Sequence, residues 1–187
     1  MRSGLVWAGL VVVLATGCHH GRSGWSPKPG APTDAGRTTC TAAHLRVAPL
    51  LDLTPATGLN PEAIRITNMG PRCVLSGYPI VRFTDRAGAA IAFRVSHTGD
   101  QMVTADRPRR VVVPSGGAAW VVLDKYRCDL GNRARVGEIE LQLAGAERIG
   151  TVEPESAGWA FCGRGDPGST VHVSPFEPRL LAALRRH

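Results

Sequence analysis

From about Cys40 onward, apolar residues come in short runs that alternate with polar ones, separated by Gly- and Pro-rich breaks. A period of two sends successive side chains to opposite faces of an extended chain, so such runs specify half-buried β-strands. In "EAIRITN" Ile64 and Ile66 oppose Arg65 and Thr67, and in "GEIELQLAG" Ile139, Leu141 and Leu143 oppose Glu138, Glu140 and Gln142. "STVHVSP" alternates Val171 and Val173 around His172. "YPIVRFTD" and "AIAFRV" flank a turn through Asp85 and Gly88 and read as a hairpin. "RVVVPSGGAAWVVLDKY" reads as a second, around Pro114 and Gly117. Another strand is expected within residues 44–53.

About seven or eight short strands with turn signals between them predict an all-β fold, an immunoglobulin-like antiparallel β-sandwich over residues 40–178. The length, 187 residues, suits one domain with flanking segments. Aromatics are only 5% of the chain, so the core must rest on Val, Ile, Leu and Ala. Residues 179–187 are expected as a tail or short helix with Leu180, Leu181 and Leu184 on one face.

The chain has five cysteines, an odd number. Cys18 ends an apolar stretch of about a dozen residues that follows Arg2, too short for a transmembrane helix of roughly 20 residues and suited to a signal peptide, residues 1–17. "LATGC" resembles the lipobox of bacterial lipoproteins, whose cysteine receives a diacylglycerol group and becomes the new N-terminus. Leu14 stands four residues before Cys18, and Ala15 holds the position where the family prefers Leu. Ala15 and Gly17 also suit an ordinary cleavage site, which makes plain secretion the alternative. Lipidation consumes the odd thiol and leaves Cys40, Cys73, Cys128 and Cys162 to form two disulfides in an oxidising compartment. Three pairings are open; the sequential one, Cys40 to Cys73 and Cys128 to Cys162, is expected. Residues 18–39 combine the lipidated cysteine with a Gly-, Pro- and Ser-rich stretch that reads as a disordered linker.

"NMGPRCVLSGYPIVRFTDRAG", with Asn68 and Gly70 before Cys73 and Leu75 before Gly77, Tyr78 and Pro79, resembles the domain of unknown function 4232 family of actinobacterial secreted proteins and lipoproteins. Cys40 with Leu45, "VVVPSGGAAW", Cys128, Cys162 and "VHVSPF" extend the resemblance to about Phe176. It implies a β-sandwich at the cell envelope and no reaction. In the motif itself, Cys73 and Leu75 share a strand face, Gly77 permits a kink and Pro79 removes a ladder donor.

The net charge is +7, with 20 arginines to two lysines, Lys28 and Lys125. The arginines are spread along the chain without interleaved aromatics, which argues against nucleic acid. The densest group is Arg107, Arg109 and Arg110, a candidate contact for anionic lipid or polymer. Tyr78 and Trp159 are further candidate binding residues, although core filling explains Trp159 too; Trp120 is expected in the core. No hydrolase elbow, zinc-protease, phosphate-loop or dinucleotide motif occurs. His19 and His20 lack a third ligand, and no metal or cofactor is expected. His44 and His172 are expected as outward strand positions. His97 with Asp100, the Glu138 and Glu140 pair, and Arg164-Gly165-Asp166 are weak signals with structural explanations.

The expectation is a non-catalytic lipoprotein on the extracytoplasmic face of the cell membrane. It would be a monomer binding an envelope protein or polymer. The competing class is an extracytoplasmic hydrolase of envelope material, recognisable by a His, a carboxylate and a nucleophile within hydrogen-bond reach.

Overall fold

The computed structural model describes residues 38–50, 53, 58–129, 131, 133–154 and 157–185. The leader, Cys18, His19, His20 and the linker through residue 37 lie outside the described residues. The strands are β1 (Leu45–Leu50), β2 (Glu62–Asn68), β3 (Cys73–Leu75), β4 (Ile80–Thr84), β5 (Arg94–Ser96), β6 (Val111–Val113), β7 (Ala118–Lys125), β8 (Ala134–Arg135), β9 (Glu138–Gln142), β10 (Arg148–Val152), β11 (Ala160–Phe161) and β12 (Thr170–Val173), followed by one helical turn, α1 (Leu180–Ala183).

The main sheet has the order β1-β2-β7-β12-β5, and a second sheet the order β10-β9-β4. Two small ladders, β3 with β6 and β8 with β11, complete a sandwich-like all-β fold. All the ladders are antiparallel except β12 with β5, which is parallel. The parallel edge departs from the purely antiparallel sandwich expected from the strand pattern.

The alternating residues face inward as their period requires. Ile64, Ile66, Val121, Leu123, Val171 and Val173 of the main sheet meet Val81, Phe83, Ile139 and Leu141 of the second in one buried cluster. Gly150 lets β10 come close to β1, because a Cβ there would stand 2.7 Å from a methyl of Val47. Aromatic packing concentrates at one end of this core, where Phe83 contacts both Phe93 and Trp159.

Both expected hairpins need correction. The turn at Asp85 is real, with its carboxylate accepting from Ala87 and Ala89 amides, and Ile91 still bonds back to Phe83. The chain then crosses, and β5 pairs with β12 in the main sheet. Likewise β6 and β7 flank a turn at Pro114, yet β6 pairs with β3 and β7 with β2. Local turn chemistry is right in both places; the partner strands come from distant parts of the chain. The Gly77-Tyr78-Pro79 run is also not a kink within one strand. It links β3 to β4, with Gly77 at φ 83°.

The disulfides are Cys40–Cys73 and Cys128–Cys162. The first ties the entry of the domain to β3, beside which Thr39 pairs in parallel with Val74. The second joins the chain after β7 to the end of β11.

A smaller apolar cluster lies on the outer face of the main sheet. Ala63 and Val122 are covered there by Val103 and Ala183, with Leu180 and Leu184 packed against them. Helix α1 is therefore docked on the sheet through Leu180, Ala183 and Leu184. Leu181, expected on that apolar face, is 76% exposed.

Candidate functional site

The outer face of the main sheet carries the best-defined polar surface. Strand register puts Ala48, Arg65 and Trp120 in one row across β1, β2 and β7, and an isolated bridge adds Glu177 beside Trp120. Opposed residues in an antiparallel ladder share a face, so these side chains project together. Arg65 lies over the Trp120 ring at 5.9 Å, within cation–π range. Trp120 is half-buried and on the outer face, which corrects its expected place in the core. Arg46 occupies the neighbouring row, opposite Thr67.

The arginine group borders this row. Arg107, Arg109 and Arg110 are all exposed. Arg109 donates from Nε and NH2 to Glu177 Oε2 at 3.1 and 2.6 Å. Glu177 is fully buried, and its bond and charge hold the Arg109 guanidinium above its ordinary range. Arg109 thus neutralises a buried carboxylate. Arg179 and Arg185, both exposed, flank α1, and Arg185 is fixed by bonds to Asp100 and Met102 carbonyls.

Beyond α1 the same face holds a carboxyl pair. Asp124 is fully buried on β7, and its Oδ1 accepts from the Asn60 amide at 2.9 Å. Burial raises its pKa to about 8, and the charge and hydrogen bond of Asp100 push the same way. Asp100 is itself held by accepting from the Met102 and Val103 amides, each at 2.7 Å. An acid protonated at neutral pH and facing a carboxylate pins the 100–104 loop under α1.

The neighbouring positions test the hydrolase alternative. Ser96, His172 and Asp124 stand in register across β5, β12 and β7. Ser96 and His172, with Arg94, His97, Thr98 and Thr170, line a shallow groove of about 620 Å³. Yet the Ser96 hydroxyl bonds Thr98 at 3.0 Å, His172 Nδ1 is buried without a hydrogen-bond partner, and Asp124 is held protonated. These groups share a row without forming a proton relay, which requires nucleophile to base and base to carboxylate bonds. Tyr78 stacks on His97 with centroids 3.9 Å apart, and burial lowers the His97 pKa.

Other candidates resolve differently. Trp159 is 1% exposed and packs within the core, so as a surface contact it is corrected. Asp166 of the Arg164-Gly165-Asp166 run is buried, accepting from the Gly168 and Asp129 amides. Glu140 pairs with Arg148 at 3.3 Å. His44 is exposed in a turn before β1 rather than in a strand. Lys125 is fully buried, donating to the Tyr126 and Gly158 carbonyls at 2.7 and 3.3 Å, and burial lowers its pKa to about 8. No group of His, Cys, Asp and Glu suited to a metal occurs among the described residues.

Sequence reading missed the Arg65 and Trp120 partnership, although its signal was present. Both residues fall out of phase with the buried positions beside them, Ile64 and Ile66 in one strand, Ala119 and Val121 in the other.

The family-motif residues prove to be a structural hub. The side-chain amide of buried Asn68 donates to the Pro71, Val113 and Pro114 carbonyls, and its Oδ1 accepts from Gly70. Its backbone bonds Gly116 and Gly117, so one residue fastens the "NMG" and "PSGG" turns together. No curated protein and no solved structure matches the chain. One family matches residues 40–177, which span the whole disulfide-linked fold, and the chain belongs to it: the domain of unknown function family DUF4232.

Proposed function

We propose that the chain is a non-catalytic lipoprotein, anchored through Cys18 on the extracytoplasmic face of the cell membrane. It acts there as a binding module, and the Arg65–Trp120 face is its contact surface. The observation that carries the reading is the cysteine pairing. Cys40, Cys73, Cys128 and Cys162 are consumed by one another, which leaves Cys18 as the odd thiol at the end of an apolar leader. Two disulfides favour an oxidising, exported location. A diacylated cysteine gives stable attachment where a single acyl chain is marginal.

Intact-mass measurement of the chain extracted from a bacterial membrane tests this. The expected species begins at Cys18 and carries acyl chains. A mature chain without lipid, recovered from the medium, refutes the anchor.

A further inference from the structure

The two sheets present different charge to solvent. Arg65 lies on the outer face of the main sheet and Arg109 reaches it through Glu177, with Arg107 and Arg110 exposed next to Arg109 in sequence and Asp106 the exposed acid nearby. The outward face of the second sheet is balanced instead: Glu138 and Glu140 stand there with Arg82, in register with Glu140, and Arg148, paired to it. The basic side also carries an aromatic ring and a large apolar side chain in accessible positions. Trp120 is half-exposed, and Leu181 projects from α1 on the side away from its packed residues. Cationic arginines with Trp and Leu between them suit a surface that is anionic outside and apolar just beneath.

Chain length narrows the occupant. The 19 residues between Cys18 and Thr38 span at most about 70 Å when fully extended. They enter the domain where Val74 of β3 bonds Thr38, and β3 is paired with β6, which the arginine group immediately precedes. A lipid on Cys18 would thus keep the basic face within reach of one bilayer at high effective concentration.

Resting on the lipoprotein reading above, we infer that this face docks on the anionic phospholipid headgroups of the membrane that holds Cys18. Arg65, Arg107 and Arg110 meet phosphates, and Trp120 and Leu181 enter the headgroup boundary.

The test uses the full chain isolated from a bacterial membrane and reconstituted into vesicles. Phosphatidylcholine alone is compared with phosphatidylcholine plus phosphatidylglycerol, both bearing brominated acyl chains that quench nearby tryptophan. The chain carries Trp25→Phe throughout, because Trp25 stands seven residues from Cys18 and a lipid there would bring it to the bilayer in either vesicle; in that background quenching should depend on phosphatidylglycerol and vanish on adding Trp120→Phe. Each of Arg65→Gln, Arg107→Gln and Arg110→Gln should reduce the ratio of docked to free domain about fivefold. Arg109 is left intact because its removal would strand Glu177. Salt at about 1 M, where the Debye length is about 3 Å, should release the face while a lipidated chain stays with the vesicles. Equal quenching in both lipids, or a phosphatidylglycerol dependence indifferent to the three substitutions, overturns the inference. Binding to soluble polyphosphate without any vesicle response overturns it in favour of a polymer. If the mass shows no lipid on Cys18, the anchor fails separately. Flotation of that unlipidated chain with the same two vesicle types still decides the face.

Discussion

Asp124 shows how a single residue makes this fold sensitive to pH. Its folded pKa, about 8, lies above the ordinary 3.8, because burial and Asp100 both disfavour the charge. A raised folded pKa contributes stability that is fully present below the unfolded value and is lost as pH rises to the folded one. The loss therefore falls between about pH 4 and pH 8, with a size on the order of 5 kcal/mol. Asp124→Asn keeps an acceptor for Asn60 and supplies a permanent donor toward Asp100. Urea titrations should show the variant nearly equal to the parent at pH 4.5 and more stable by about that amount at pH 8.5. A parent whose stability does not fall over this range would refute the shared proton. Lys125 runs oppositely: its folded pKa, about 8, is depressed by burial, so its penalty persists below that value and lifts toward 10.5. Lys125 therefore adds no pH dependence below about pH 8, and the difference between parent and Asp124→Asn cancels what the remaining groups, His97 among them, contribute. Arg109 supports a second residue-scale prediction. Arg109→Ala leaves a buried carboxylate at Glu177 without its charged partner and should cost about 1–3 kcal/mol. Adding Glu177→Gln should recover part of that loss, and a double variant less stable than the single would argue against the pairing.

At the scale of elements, the two disulfides link residues 33 and 34 positions apart. Closed loops of that length each stabilise by about 4 kcal/mol in the chain-entropy model. Replacing either pair by alanine should lower the melting temperature by about 8–16 °C for a domain of this size. The two losses should differ in place. Without Cys128–Cys162, hydrogen exchange should accelerate first at the two-residue strands β8 and β11, while β2 and β7 stay protected. Uniform acceleration across the main sheet would show that this staple is part of the global fold. The elements also mark how far the sequence could be read. Ile64, Ile139, Leu141, Val171 and Val173 announce both strand and facing, because alternation is a local code. The two turns at Asp85 and Pro114 were legible for the same reason. What joins β5 to β12, or β6 to β3, is a contact between residues far apart in sequence, and nothing in either turn records it. The site divides along the same line. The Arg107 to Arg110 group is visible in a row of letters, whereas the juxtaposition of Arg65 with Trp120 exists only once β2 and β7 are in register. Trp159 shows the reverse case, a large aromatic in a segment without periodicity, whose burial depends on Phe83 arriving from another strand.

At the scale of the whole molecule, the proposed anchor on Cys18 would make anchoring and folding separate properties carried by different cysteines. The described fold uses Cys40, Cys73, Cys128 and Cys162 and closes over its own core within residues 38–185. On that proposal, removing the thiol of Cys18 changes where the domain is held and leaves both disulfides in place. For Cys18→Ser, the expected outcome is loss of the chain from the salt-washed membrane pellet, with domain stability unchanged within about 0.5 kcal/mol. The inferred docking of the basic face would add a second, weaker attachment that salt alone removes, since arginine contacts with headgroups are screened and an acyl chain is not. The Cys18→Ser chain should accordingly retain phosphatidylglycerol-dependent association at low ionic strength, and lose it on adding Arg65→Gln, Arg107→Gln and Arg110→Gln. A Cys18→Ser chain that remains in the pellet through high salt would place the durable attachment elsewhere than on this cysteine. One that also melts several degrees lower would show that the leader region contributes to the fold. Each result assigns a distinct role to one cysteine, and the two readouts together separate anchorage from stability in a single variant.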